Sequence, residues 1–206
     1  MSATKVDFTR ALDTYRARRG EFRVVEVPET AYLMVDGHGD PNTDPSFAAA
    51  VAALYPVAYR LKFASKEVGR DYVVPPLEGL WWAQDLAVFT TARDTSRWEW
   101  TLMLMVPDWL EDAMVEAAIR EVGRTRRPER LDDVRLGTLT EGTCLQTLHV
   151  GPFDDEGPVL ATLHQEVIPS RGLRPVGRHH EIYLSDFRRV PPANRRTILR
   201  QPVRPA

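Results

Sequence analysis

The chain has 206 residues, 43% hydrophobic and 27% charged, and a formal net charge of -2. It is long enough to bury a core, and so small a charge argues against nucleic acid or an anionic membrane as the partner. A single cysteine, Cys144, excludes an internal disulfide and any multi-cysteine zinc or iron-sulfur site. No run approaches the length of a membrane span, and residues 1–8 lack the apolar core of a signal peptide, so the expected compartment is the cytoplasm.

In chain order, residues 5–19 read as an Arg-rich amphipathic extension, helical and docked on the outside. Residues 32–37 predict a strand that ends in the turn Gly37-His38-Gly39-Asp40-Pro41. A helix follows, capped by Asp44 or Ser46, with Phe47, Val51, Leu54, Ala58 and Leu61 at helical spacing and a kink expected at Pro56. Residues 72–82 and 97–106 predict extended segments. Asp108 and Glu111 resemble a capping box for a helix over 109–122, closed by Gly123.

The polar stretch 124–133 reads as a linker, after which the order repeats: strand 143–150, turn Gly151-Pro152-Phe153, helix 156–168, strand 179–184 and strand 196–202. The predicted fold class is therefore α+β, a tandem β-α-β-β pair with pseudo-twofold symmetry and a ligand cleft between the halves. The expected organisation is an N-terminal extension over 1–22 and a domain over 23–206, its repeats covering about 23–123 and 134–206.

The segment Arg178-His179-His180-Glu181-Ile182-Tyr183-Leu184 is the most telling. Alternation places His179, Glu181 and Tyr183 on one face and His180, Ile182 and Leu184 on the other, so one side should pack on helices while the other lines something polar. A carboxylate in such a cavity needs a cation, a proton or hydrogen bonds, and it could bind a cationic ligand or activate water. Aligning Leu77-Glu78-Gly79-Leu80 on His180-Glu181-Ile182-Tyr183 gives Glu78 the equivalent place in the first half. The two carboxylates could then form an acid beside a base, with either as the base. Alternatively, Glu78 accepts backbone hydrogen bonds at a bulge made by Gly79.

Trp82 and Trp100 are the expected cleft-lining tryptophans, because adjacent strand positions cannot all face one side. If they pack in the core instead, the aromatic wall falls to Trp81 and Trp98. His149, before the Gly-Pro turn, is expected to line the cleft or to hydrogen-bond near Glu181. His179 and His180 point to opposite faces, so no metal site is expected. Cys144 reads as an inert packed thiol, Ser185-Asp186 as a turn, and Arg188, Arg189, Arg195, Arg196 and Arg200 as a solvated surface.

Five segments together resemble the stand-alone GyrI-like small-molecule-binding proteins: Asp36-Gly37-His38-Gly39-Asp40-Pro41, Pro76-Leu77-Glu78-Gly79-Leu80-Trp81-Trp82, Trp98-Glu99-Trp100-Thr101-Leu102-Met103, His149-Val150-Gly151-Pro152-Phe153-Asp154 and His180-Glu181-Ile182-Tyr183-Leu184-Ser185-Asp186. The resemblance runs from about Arg23 to Val203. It implies a tandem SHS2-type fold around a central cleft, shared with effector domains of multidrug-responsive regulators that meet cationic planar drugs with a buried glutamate. Glu181 falls on the matching strand, and no helix-turn-helix accompanies it. The stand-alone branch that these segments resemble more nearly opens the cyclopropane of DNA-alkylating natural products.

The resemblance thus implies hydrolysis of a flat cyclopropanoid ligand, with Glu181 and Tyr183 as catalytic residues, Trp82, Trp100, Glu78, His149, Phe153 and His179 in contact with the ligand, and no cofactor or metal. The alternative is a protein that binds dyes or drugs without turnover. A small molecule is the expected partner, and no oligomeric state follows from the sequence. Two departures from the family pattern are Pro56 inside the first helix and the apolar strand end Met105-Val106-Pro107.

Overall fold

The computed structural model describes residues 5–83 and 95–206; residues 84–94, inside the first expected unit, lie outside the described residues. The strands are β1 Arg23–Val27, β2 Thr30–His38, β3 Leu77–Trp82, β4 Glu99–Val106, β5 Arg135–Leu139, β6 Gly142–Val150, β7 Leu173–Pro175, β8 His179–Tyr183 and β9 Arg196–Pro205. They pair antiparallel in one sheet of order β1-β6-β9-β8-β3-β4-β2-β5, with β7 beside β9. The order is symmetric about the β8–β3 contact. Strands β1 and β5, absent from the sequence expectation, pair with partners distant in sequence, β5 crossing to β2 and β1 to β6. Each has only five residues, too few for alternation to stand out.

All helices but the short N-terminal one lie on one face of this sheet. Helix α2, Pro45–Glu67, begins at Asp44, whose Oδ1 accepts the Ser46 N–H at 2.8 Å. It runs past Pro56 to Glu67, and Phe47, Val51, Leu54, Ala58 and Leu61 are all buried against the sheet. By length and composition α2 could cross a membrane, yet this apolar stripe packs in the core. Helix α3, Asp112–Thr125, starts after the expected capping box: a turn closes from Leu110 N–H to the Pro107 carbonyl, and Glu111 is an N-cap without a side-chain hydrogen bond. The last helical run joins α4, Gly157–Ala161, to α5, Ile168–Ser170, through a π-helical segment Thr162–Val167. Pro169 removes a backbone donor and crowds the preceding turn, which the wider π turn accommodates.

The opposite face is covered by residues 5–22. They are not an amphipathic helix. They form one turn of helix, α1 Phe8–Ala11, and a 3-10 turn, Asp13–Tyr15, which brings Tyr15 onto Tyr32, Met34, Leu80, Met103, Met105 and Ile182. Of the apolar strand end noted in the sequence, Met105 packs here beneath Tyr15, while Val106 packs into the core on the helix side. On this face the side chains of His180, Glu78, Glu141 and Arg200 are 0–2% exposed. His180 Nε2 lies 2.9 Å from Glu78 Oε2 and its Nδ1 3.0 Å from Glu141 Oε2. Arg200 reaches Glu141 at 3.1 Å, Gln146 at 3.0 Å and the Thr14 carbonyl at 2.7 Å, while Tyr15 donates to Glu78 at 2.5 Å.

Two buried cations and two buried carboxylates balance. Burial pushes the His180 pKa down, but the Glu141 charge, the hydrogen bond that His180 donates to Glu141 and the adjacent Glu78 carboxylate outweigh it and raise it to about 9. Burial likewise pushes Glu141 up, and His180 and Arg200 bring it down to about 2. The raised His180 adds stability that is complete below the ordinary 6.5 and lost as pH rises through about 9. The depressed Glu141 adds stability that is complete above the ordinary 4.5 and lost as pH falls through about 2. Melting temperature should thus be highest between these windows and fall on the alkaline side. His180→Leu, which leaves two buried carboxylates facing each other, should cost about 3–5 kcal/mol. A wild-type melting temperature that is flat from neutral pH through 9 would show that His180 is uncharged.

Candidate functional site

Where β3 and β8 meet, the helix-bearing face opens into a cleft of about 290 Å³. Register builds it. Gly79 stands opposite Glu181 and Trp81 opposite His179, so Trp81, His179, Glu181 and Tyr183 leave the same face. Phe47 comes from the start of α2, Trp98 from the approach to β4, Phe153 and Glu156 from the segment after β6, and Phe187 and Arg195 from the β8–β9 connection. Trp81 stacks on Phe47 at 6.2 Å and meets Trp98 edge-on at 5.7 Å, and Phe153, Tyr183 and Phe187 lie 5.6–6.1 Å apart, centroid to centroid. Such rings present flat apolar walls to a planar ligand.

Glu181 is the polar centre of this cage, with its side chain 14% exposed. The Tyr183 hydroxyl donates to Glu181 Oε2 at 2.8 Å, and the Trp81 indole N–H donates to the Tyr183 oxygen at 3.0 Å. Burial and then the Glu181 charge push the Tyr183 phenol well above its ordinary value, so it stays a donor. His179 Nε2 stands 3.6 Å from Glu181 Oε1. A β-carbon at Gly79 would come within 2.9 Å of Trp81 Nε1 and 3.0 Å of the Tyr183 oxygen, so glycine gives these two groups room to meet. Gly79 thus makes no bulge; its pairing is in register.

Glu181, Tyr183, His179 and Phe153 line the cleft together. The other expected contacts do not. Trp100 pairs with Trp81 across β4 and shares its face, but it is 0% exposed under Phe47, lying on Gly37, where a β-carbon would fall 2.1 Å from its ring. Trp82 points to the opposite face, where the Arg178 guanidinium covers its ring at 3.5 Å. Glu78 also faces away, inside the His180 cluster, because the aligned strands lie antiparallel and put Gly79 rather than Glu78 beside Glu181. No carboxylate pair therefore shares the cleft in that way. His149 is 6% exposed and its Nε2 contacts the Pro152 carbonyl at 2.9 Å, bracing the turn that delivers Phe153. The helices pack on the cleft side, not on the His180 side, which Tyr15 covers.

Sequence reasoning missed Phe47, Phe187, Asp154, Glu156 and Arg195 as lining residues. Arg195, expected on a solvated surface, bridges the Val190 and Phe187 carbonyls at 3.3 and 2.9 Å and lies 5.2 Å over Phe153. Arg200 is likewise buried. Cys144 is a buried thiol that burial pushes up to about 12, as an inert thiol should be. Among the described residues no group of three His, Cys, Asp or Glu side chains is placed to hold a metal ion.

An antiparallel sheet carrying its long helices on one face, with an acid in an aromatic cleft at its centre, describes a class of small-molecule-binding domains. The model of the GyrI-like small molecule binding domain matches residues 20–204, and the chain belongs to that family. It is similar to a solved structure described as an uncharacterized conserved protein from Listeria innocua, at 36% identity and TM-score 0.86, covering 97% of this chain and 100% of that one. A second Listeria innocua structure, described as a hydrolase, is 35% identical over 97% of this chain and 100% of that one, with TM-score 0.83. The EcmrR C-terminal domain shares the fold at 11% identity and TM-score 0.59, over 90% of this chain and 98% of that one. No curated protein matches the chain in sequence.

The two buried layers of tryptophan separate experimentally. Trp100→Ala should cost about 3–5 kcal/mol of stability, read as a large fall in melting temperature without ligand. Trp98→Ala, at a partly buried position, should leave the fold largely intact and weaken a planar ligand by roughly 0.5–1.5 kcal/mol in a fluorescence-quenching titration. The reverse pattern would move the ligand wall to Trp100.

Proposed function

We propose that the protein is a hydrolase that takes a flat, apolar electrophile into this cleft and opens its strained cyclopropane with water. The observation that carries the reading is Glu181, a carboxylate enclosed by aromatic rings and held from one side by the Trp81–Tyr183 hydrogen-bond chain at 3.0 and 2.8 Å. Membership of a small-molecule-binding family and a similar structure described as a hydrolase agree with it. Trp81, Trp98 and Phe153 would hold the ligand flat, and Glu181 would set the water in line with the breaking bond. A new bond forms from the water oxygen to the cyclopropane methylene. The ring carbon–carbon bond breaks, its electron pair passes to the conjugated carbonyl to give a phenolate, and the water proton passes to a base in the cleft. Arg195, the one Lys or Arg among the described lining residues, supplies positive charge for that phenolate.

A second reading has its own observation. Glu181, a carboxylate set among the rings of Trp81, Trp98 and Phe153, suits a cationic aromatic ligand held by charge and cation-π contact without turnover. One experiment separates the two. Incubation with a spirocyclopropyl dienone alkylator, without nucleotide and with a chelator, should yield the ring-opened, water-added product. Glu181→Gln should abolish that product while an uncharged planar ligand still binds. Recovery of unchanged alkylator, with Glu181→Gln selectively weakening cationic ligands, would establish the binder instead.

A further inference from the structure

We infer that His179 is the base that takes the proton from the attacking water, an assignment that rests on the hydrolase reading. His179 and Glu181 sit two positions apart on β8 and line the same cleft. At 3.6 Å, His179 Nε2 and Glu181 Oε1 are too far apart for a hydrogen bond, yet the carboxylate is near enough to stabilise an imidazolium by its charge. Neither ring nitrogen of His179 hydrogen-bonds to another described group of the protein, and both are shielded from bulk solvent. Their lone pair and N–H stay unpaired until a guest in the cleft displaces the side chains that cover them. Glu181 is differently committed: its Oε2 already accepts the Tyr183 hydroxyl at 2.8 Å. Imidazole is also the side chain whose proton affinity suits transfer near neutral pH.

Charged and titratable groups face His179 from several elements. Glu181 faces it from its own strand, and Asp154, Glu156, Tyr183 and Arg195 line the same cleft. His164, on the π-helical turn, has its ring 6.3 Å away. Burial first, and then His179 itself, push the His164 pKa down to about 4, so His164 remains neutral beside the imidazolium. In the step, the water O–H bond breaks with its proton passing to His179, the carbon–oxygen bond forms, and the cyclopropane electron pair ends on the phenolate oxygen. The imidazolium then returns its proton through solvent to the phenolate. Glu181 acts as the anion that orients the water and stabilises the imidazolium, the division of labour of a histidine–carboxylate pair.

The test is His179→Ala in the full chain. Turnover of the alkylator should fall by about 10²–10⁴-fold, quenching by an unreactive planar ligand should persist, and added imidazole should restore turnover in proportion to its concentration. The decline of wild-type turnover toward acid pH should be absent from the imidazole-independent residual rate. His179→Gln, which keeps a polar side chain of similar reach, should show the same loss without rescue, and serves if the alanine variant does not fold. Wild-type turnover in either variant, or a loss that imidazole does not restore in a folded His179→Ala protein, overturns the assignment and leaves the hydrolase reading standing. Absence of product from the wild-type protein overturns both.

Discussion

The arrangement depends on an imidazolium clamped between two carboxylates. His180 is fully buried between Glu78 of β3 and Glu141 of the turn before β6, with Arg200 of β9 completing a neutral set. Isolated charges so deep would be prohibitive, and only the mutual compensation makes the cluster tolerable. It ties the central strands to the N-terminal segment through Tyr15 and the Thr14 carbonyl. Because successive residues of a strand alternate, holding His180 on one face obliges His179 and Glu181 to occupy the other. The charge cluster and the cleft are two sides of one five-residue strand.

On the cleft side, small residues decide where the aromatic rings settle. Gly37 accepts the flat of Trp100, which sinks into the core beneath Phe47, and Gly79 makes space for the Trp81 indole to reach the Tyr183 hydroxyl. A protein with five tryptophans thus spends some on packing and others on the wall of a cavity, and exposure alone does not sort them. Trp81 is only 5% exposed, yet it belongs to the cleft. The remaining wall comes from connections, with Arg195 holding the loop that carries Phe187 and lying over Phe153. Positioning by a guanidinium that bridges backbone carbonyls gives such a loop the order that its own sequence lacks.

Much of the architecture was legible because it rests on short-range periodicity. The apolar stripe from Phe47 to Leu61 called for α2, the alternation in His179–Tyr183 called for β8 and its two faces, and the repeated element order called for an α+β fold with a central cleft. The family likeness of the Leu-Glu-Gly-Leu-Trp-Trp and Glu-Ile-Tyr-Leu segments pointed to small-molecule binding. The places of Glu181, Tyr183, His179 and Phe153 on the cleft lining were legible for the same reason, since one strand and one turn carry them.

What the sequence by itself determined was the repeated core of strands and helices, the family, and the fact that β8 offers a carboxylate beside a histidine and a tyrosine. Only the tertiary structure decided which of the remaining groups meet them. Parity along one strand says nothing of the neighbouring strand's register. The choice of Trp81 over Trp82 and the removal of Glu78 to the far face follow from β3 running antiparallel to β8 with Gly79 opposite Glu181. Arg200 reads as a surface cation until its partners, more than fifty residues away at Glu141 and Gln146, are brought beneath Tyr15. Pairings across such distances depend on the whole sheet closing, and no local pattern of residue types encodes them.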